Sequence, residues 1–205
     1  MASRHGTRES TWAAGTRHRL TIEEEVGQML QARYFGDYRD FDGAPYEELR
    51  QQLRKYHVGS LAFNVHLGHS GLIRCFGHEA ARVANQLQRD SELPLLLAAD
   101  LERAASSRLR EVPDFPWPMA IGADGEEREA ERFGEIAARE ARAIGVQWIL
   151  APVSDLNNNP VNPIINVRSF GEDPDRVGRL VAAYIRGAHK GGALGNRGQT
   201  GRFPT

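Results

Sequence analysis

Cysteine is nearly absent: Cys75 is the only one among 205 residues. A disulfide within the chain and a cysteine-rich metal site are both excluded by that count. Long apolar runs are missing too. None approaches the about 18 residues of a membrane span, and the N-terminal MASRHGTRESTWAAGTRHR carries positive charge without the apolar core of a secretory leader. The expectation is a cytoplasmic chain with no membrane partner. Neither charge sign is in excess, since 26 Lys and Arg against 27 Asp and Glu leave a net −1. No bulk field therefore draws the chain to nucleic acid, and arginines interleaved with glutamates read as solvated helix faces. Neither GxGxxG after the first strand nor GxxxxGK[ST] occurs, so a nucleotide site loses its main support. No cofactor is expected. His66 and His69 lie three apart, but no carboxylate stands close to them in sequence, and a metal is not expected either.

What is present is ordinary globular composition, 40% hydrophobic and 26% charged, at a length that suits one domain. Residues 1–19 show no periodicity and are expected to be disordered. Thr21-Ile22-Glu23-Glu24 has the spacing of a capping box, and Val26, Met29 and Leu30 then offer one apolar helix face. A short strand is expected at ARYF, a helix over about 46–56, a strand at GSLAF (59–63) and a helix over about 78–90. LPLLLAAD (93–100) is a continuous apolar run ending in one carboxylate. Runs of that kind form parallel strands covered on both faces. A helix over 126–144 stops at Gly145. VQWILAPV (146–153) is another buried strand, and Asp173 caps a helix that begins at Pro174 and runs to about Lys190.

Strand and helix alternate with no strand pair placed for a hairpin, which implies α/β architecture with a parallel sheet. In a TIM-type (β/α)8 barrel, functional groups stand where strands end and loops begin. Asp100 and the loop NNNPVNPIINVRSFGEDP (157–174) occupy such places. A closed barrel needs about 250 residues, whereas about four strand–helix units are legible here. The expected fold is thus an incomplete barrel, roughly its first half.

Four blocks carry a family resemblance: LTIEEEVGQML, LPLLLAADLER, FPWPMAIGA and LAPVSDLNNNPVNPIINVRSFGEDPDRVGRLVAAYIRGAHKGGAL. In this order they resemble the N-terminal barrel domain of glycoside hydrolase family 3 over about residues 19–194. The NNNPxNPIIN loop looks more like the bacterial β-N-acetylhexosaminidase-like members than the β-glucosidases. The resemblance implies a retaining exo-glycosidase with an Asp nucleophile and a separate proton donor, and a terminal β-linked sugar as partner, N-acetylglucosamine being favoured. A β-glucosidase-type member and a non-catalytic sugar-binding fragment are the alternatives.

Matched residue by residue, the family's strand-end sugar-binding Asp falls on Asp100 and the Arg of its R-S-F triplet on Arg168. A further Arg soon after the Asp falls on Arg108, whose role is less defined. Paired charged groups of this kind orient a pyranose through its hydroxyls. Other readings stay open for the residues themselves. Asp100 suits a helix cap or a salt bridge, and Arg168 suits a pair with Glu172 or Asp173. Asp155 suits a structural role at the loop start, Phe115 and Trp117 suit core or lip packing, and His57 suits a helix end.

The chain departs from the family after GGAL (191–194). A Lys-His-Phe-Pro-Gly-His-Gly type motif is due there, followed by the nucleophile; GNRGQTGRFPT stands in its place. The expectation is a truncated or frameshifted member with no catalytic residue in the chain, an aberrant tail over 195–205 and a missing C-terminal segment as possible partner. ERAASSR follows Asp100 where many relatives have glycines. A positive φ at Ala104 or Ala105 strains that loop and puts the place of Arg108 in doubt.

Overall fold

The apolar runs of the sequence lie side by side. In the computed structural model, which describes residues 12–34, 41–63, 67–68, 71–72, 75–159 and 161–195, five strands form one parallel sheet. They are β1 (Gln31–Tyr34), β2 (Ser60–Phe63), β5 (Leu96–Ala99), β7 (Trp148–Ile149) and β8 (Leu194–Gly195), in the order β1-β2-β5-β7-β8. Spatial order follows sequence order, so each strand lies beside its predecessor. That is the progression of a barrel, not of a doubly wound sheet whose order reverses. The helices between them are α3 (Ala44–Tyr56), α4 (Gly77–Asp90), α6 (Glu127–Ala143) and α7 (Pro174–Lys190). Four strand–helix units and the opening strand of a fifth make an incomplete (β/α) barrel.

Polar side chains pin the register at the N-terminal ends of the strands. Gln31 Nε2 donates to Ser60 Oγ at 2.9 Å, and Ser60 Oγ donates to the Leu96 carbonyl at 2.8 Å. The side-chain carbonyl of Gln147 accepts from Leu97 N–H at 2.8 Å. That substitution within the ladder, with Pro152 unable to donate, shortens the expected 146–153 strand to two residues. Its burial survives, since Val146, Ile149 and Val153 are all in the core.

The heaviest packing is between α6 and α7. Phe133 of α6 sits edge-on to Tyr184 of α7 at 5.4 Å and stacks on Phe115 at 5.3 Å. Gly134 and Gly187 let the two backbones approach so closely that a Cβ at either position would collide with Tyr184 O or Glu131 O. Gly145, at φ +86°, ends α6 as expected. Around α3 and α4 a second cluster gathers Tyr46, Leu49, Leu53, Val83, Leu87 and Leu97.

Several expectations need correction. Residues 12–17 form a helical segment, α1, although 1–19 read as disordered; residues 1–11 lie outside the described part. The capping box at α2 (Ile22–Gln28) is complete, with Glu24 N–H donating to Thr21 Oγ1 and Thr21 N–H to Glu24 Oε2. Yet Val26, Met29 and Leu30 are exposed, Met29 at 85%. The buried contact of α2 is Gly27, which lies against Tyr56 O and His57 at the end of α3. His57 itself closes α3 in the left-handed region. A hairpin does occur: β3 (Leu67–Gly68) pairs antiparallel with β4 (Gly71–Leu72). His66 and His69 fall outside the described residues, as does the tail over 196–205 beyond β8. A further strand, β6 (Glu102–Ala105), follows β5 directly.

Candidate functional site

Asp100 follows the last residue of β5, at the C-terminal end of the sheet. Its Oδ2 accepts from Arg108 Nη2 at 3.3 Å. Its Oδ1 is shielded from solvent with no hydrogen-bond partner among the described residues, and Arg108 Nε is in the same condition. Asp100 caps no helix, so of the bland alternatives the salt bridge is the one present.

The loop between Asp100 and Arg108 is built around a strained residue. Ala104 has φ +51° and is fully buried, in the left-handed region that costs an L-residue about 1–2 kcal/mol. The surrounding bonds hold it there. Glu140 Oε2 of α6 accepts from Ala105 N–H at 2.9 Å, Ser107 Oγ accepts from Arg103 N–H at 2.7 Å, and Ser106 Oγ donates to Arg103 O at 2.6 Å. Cys75 N–H donates to Arg108 O and Arg110 N–H to Cys75 O, fastening the backbone on both sides of Leu109. The positive φ expected in this loop is present at Ala104, and the Arg108 guanidinium reaches Asp100.

The long loop explains its own composition. Asn159 Oδ1 accepts from Val161 N–H at 3.1 Å and Asn162 Oδ1 from Ile164 N–H at 2.9 Å, the side-chain turns for which asparagine is suited. A 3-10 turn, Asn166–Arg168, leads into the triplet. Each triplet residue has its own task. Phe170 is buried against α5 (Pro118–Asp124), where only Gly122 leaves room for its backbone. Ser169, also buried, donates its one hydroxyl proton to Asp155 O at 2.6 Å, with Gly171 O also within reach at 2.8 Å, and its Oγ accepts from Gly171 N–H at 3.1 Å, tying the two ends of the loop together. That bond uses the backbone carbonyl of Asp155; its side chain accepts from Leu156 N–H at 2.8 Å at the start of the loop. Arg168 is left facing the strand ends.

Arg168 pairs with neither Glu172 nor Asp173. Its Nε donates to Glu102 Oε2 at 2.8 Å and its Nη2 to Glu102 Oε1 at 2.5 Å, a two-pronged bond across 66 positions of sequence. Nη1 donates to Ile164 O at 3.1 Å. The hydrogen bonds that Arg168 donates to Glu102, with smaller contributions from the charges of Glu102 and Asp100, raise the Arg168 pKa above its already high ordinary value. The pair is largely shielded, at 24% and 13% side-chain exposure. Asp100, Arg108, Glu102 and Arg168 together form one alternating charge cluster at the strand ends. Glu102 was missed in the sequence reading.

Phe115 belongs to the core. Trp117 stands at the lip, with the Arg103 guanidinium 5.1 Å above its ring and Asp114 holding that guanidinium from the side. A cavity of about 110 Å³ lies at the opposite end of the sheet, lined among others by Gln28, Leu53, His57 and Leu93, and is remote from this cluster.

Comparison with known proteins gives the same outline. Residues 21–196 match the profile of the Glycosyl hydrolase family 3 N terminal domain. A Beta-N-acetylglucosaminidase/beta-glucosidase of Cellulomonas fimi is 35% identical over 129 residues, 63% of this chain and 23% of that protein. A Beta-hexosaminidase A of Pseudoalteromonas piscicida is 30% identical over 191 residues, 85% of this chain and 32% of that protein. Among solved structures, a beta-glucoside phosphorylase bound to 2FGlc superposes with a TM-score of 0.74 at 30% identity, covering 90% of this chain and 31% of that one. The chain spans a third or less of the length of each of these proteins.

Proposed function

The chain belongs to glycosyl hydrolase family 3, and from that membership we propose that it is the part of a β-N-acetylhexosaminidase-like glycosidase that binds the terminal sugar. The observation that carries the reading is the cluster at the strand ends. Asp100 presents a carboxylate oxygen with no donor among the described residues, and a buried polar atom in that state costs about 1–3 kcal/mol. A sugar hydroxyl supplies the missing donor. Arg108 and Arg168 supply charge-assisted donors to ring substituents, and Trp117 at the lip offers an aromatic face to a pyranose. The name of the Pseudoalteromonas relative supports an N-acetylhexosaminide, while the name of the Cellulomonas relative covers both an N-acetylglucosaminide and a glucoside.

In the family, cleavage with retention needs a carboxylate nucleophile in addition to these groups. No residue of the cluster is assigned that task, so the chain by itself binds and does not turn over. Calorimetry with methyl N-acetyl-β-glucosaminide at millimolar concentration tests the binding: heat from the chain and none from Asp100→Ala is expected. Equal heats from both proteins would remove Asp100 from the site. Hydrolysis of a chromogenic N-acetyl-β-glucosaminide above the Asp100→Ala background would show that the chain carries its own nucleophile. Tighter binding of methyl β-glucoside than of the N-acetylated sugar would favour the β-glucosidase alternative.

A further inference from the structure

We infer that Glu102 is a positioning residue, which fixes the guanidinium of Arg168 in the orientation that meets the sugar; the inference rests on the sugar-binding reading above. Arg168 stands in a loop that leaves the sheet after Ile149 and enters α7 at Pro174. The neighbouring Ser169 and Phe170 anchor the backbone of that loop. An arginine side chain has four rotatable bonds beyond its backbone, and anchoring the backbone leaves them unfixed. An unfixed guanidinium loses rotamer freedom when it meets a ligand, and that loss opposes binding.

Glu102 removes that freedom. The two carboxylate oxygens take the Nε and Nη2 hydrogens side by side, at 2.8 and 2.5 Å, and the Ile164 carbonyl takes a third hydrogen from Nη1. Three bonds from two directions set both the plane and the rotation of the group. Glu102 opens β6, which is fastened to α6 where Ala105 N–H donates to Glu140 Oε2 at 2.9 Å, and its side chain is largely shielded from solvent, at 13% exposure.

Glu102 also sets the sign of the field. Asp100 and Glu102 flank two guanidiniums, so the cluster alternates in charge, and Asp100 adds to the stabilisation of the charged Arg168.

The test is a titration of the 15N-labelled chain with methyl N-acetyl-β-glucosaminide, followed by NMR, on the unmodified chain, Glu102→Gln, Arg168→Lys and the double variant. In the unmodified chain the Arg168 Nε–H signal is expected to be observable and slow to exchange, and in Glu102→Gln to be lost to exchange. Each single variant is expected to raise the dissociation constant about tenfold, since two-pronged pairing and its preorganisation are lost. The double variant is expected to be no weaker than Arg168→Lys alone, because Glu102 acts through Arg168. A merely structural Glu102 would lower the melting temperature and leave the dissociation constant of the folded chain unchanged; that result overturns the inference, as do effects that simply add. Glu102→Asp keeps the charge but shortens the reach, and serves if Glu102→Gln does not fold: an unchanged dissociation constant in it also overturns the inference. Absence of any sugar-induced shift in the unmodified chain overturns the sugar-binding reading itself, and this inference with it.

Discussion

Ala104 and Tyr184 are single residues at which opposing costs can be weighed. Ala104 holds a left-handed conformation at φ +51° with its methyl group fully buried. Glycine there would relieve about 1–2 kcal/mol of backbone strain. It would also forfeit about 0.8 kcal/mol for the buried methyl and about 0.4–1 kcal/mol through the freer unfolded chain. The terms nearly cancel, so Ala104→Gly is expected to move the urea midpoint very little. Ala104→Val adds a β-branch to the same φ in a packed site and is expected to cost more than about 2 kcal/mol. Tyr184 presents the reverse case. Its ring is needed against Phe133, but its hydroxyl has no partner among the described residues. Burial, and then the charge of Glu102, push its pKa well above the ordinary phenol value. The folded chain thus keeps a proton that the unfolded chain gives up near pH 10. Stability from this source is complete below about pH 10 and falls as pH rises toward the folded value. Tyr184→Phe removes both the orphaned hydroxyl and this liability. Urea denaturation is expected to give equal or up to about 1 kcal/mol higher stability at neutral pH, and a smaller loss at pH 10.5 than the unmodified chain shows.

At the scale of elements, α7 contains its own control. Gly187 faces α6 where a Cβ would collide with the Glu131 carbonyl, while Gly178 on the same helix has open space around it. Gly178→Ala is expected to stabilise the helix by about 0.5–1 kcal/mol, and Gly187→Ala to destabilise it by about 3 kcal/mol, the upper end for overpacking, because a carbonyl cannot rotate away as a side chain can. Thermal melts of the two variants should move in opposite directions. The sequence made this helix legible from Asp173 to Lys190, since cap, proline and apolar spacing agreed. Its closeness to α6 was not legible, because nothing in the spacing tells an approach glycine from a neutral one. The same division runs through the site. Asp100, Arg108 and Arg168 were found from motif positions, and the geometry brings all three to one end of the sheet. Glu102 was not found, because its partner lies 66 positions away. A signal did exist: residues two apart in extended backbone share a face, and Glu102 stands two after Asp100 at a strand end. The hairpin of β3 and β4 was missed because two-residue strands carry no measurable alternation. The face of α2 was misjudged because periodicity reports an apolar stripe and not whether anything covers it.

At the scale of the whole molecule the decisive feature is that the sheet does not close among the described residues. β1 and β8 each have one strand neighbour among the described residues, so each leaves a row of backbone donors and acceptors without a strand partner. Such edges pair with other chains unless charge or proline blunts them. Beside β8 the blunting is weak: Leu194 is half exposed. Beside β1 the exposed Met29 and Leu30 of the preceding turn add apolar surface. The interior is well ordered by comparison, with Phe133, Tyr184, Leu97 and Ile149 all buried. A chain with a sound core and open edges is expected to fold and then to associate. Light scattering across a concentration series should give an apparent mass that rises above the 22.8 kDa of one chain. Leu194→Lys, which places a charge on the edge, should lower that rise without changing the far-ultraviolet circular dichroism. A mass independent of concentration, together with one cooperative melt, would mean that the strand edges are already covered within the chain, and the open-sheet account would have to be abandoned.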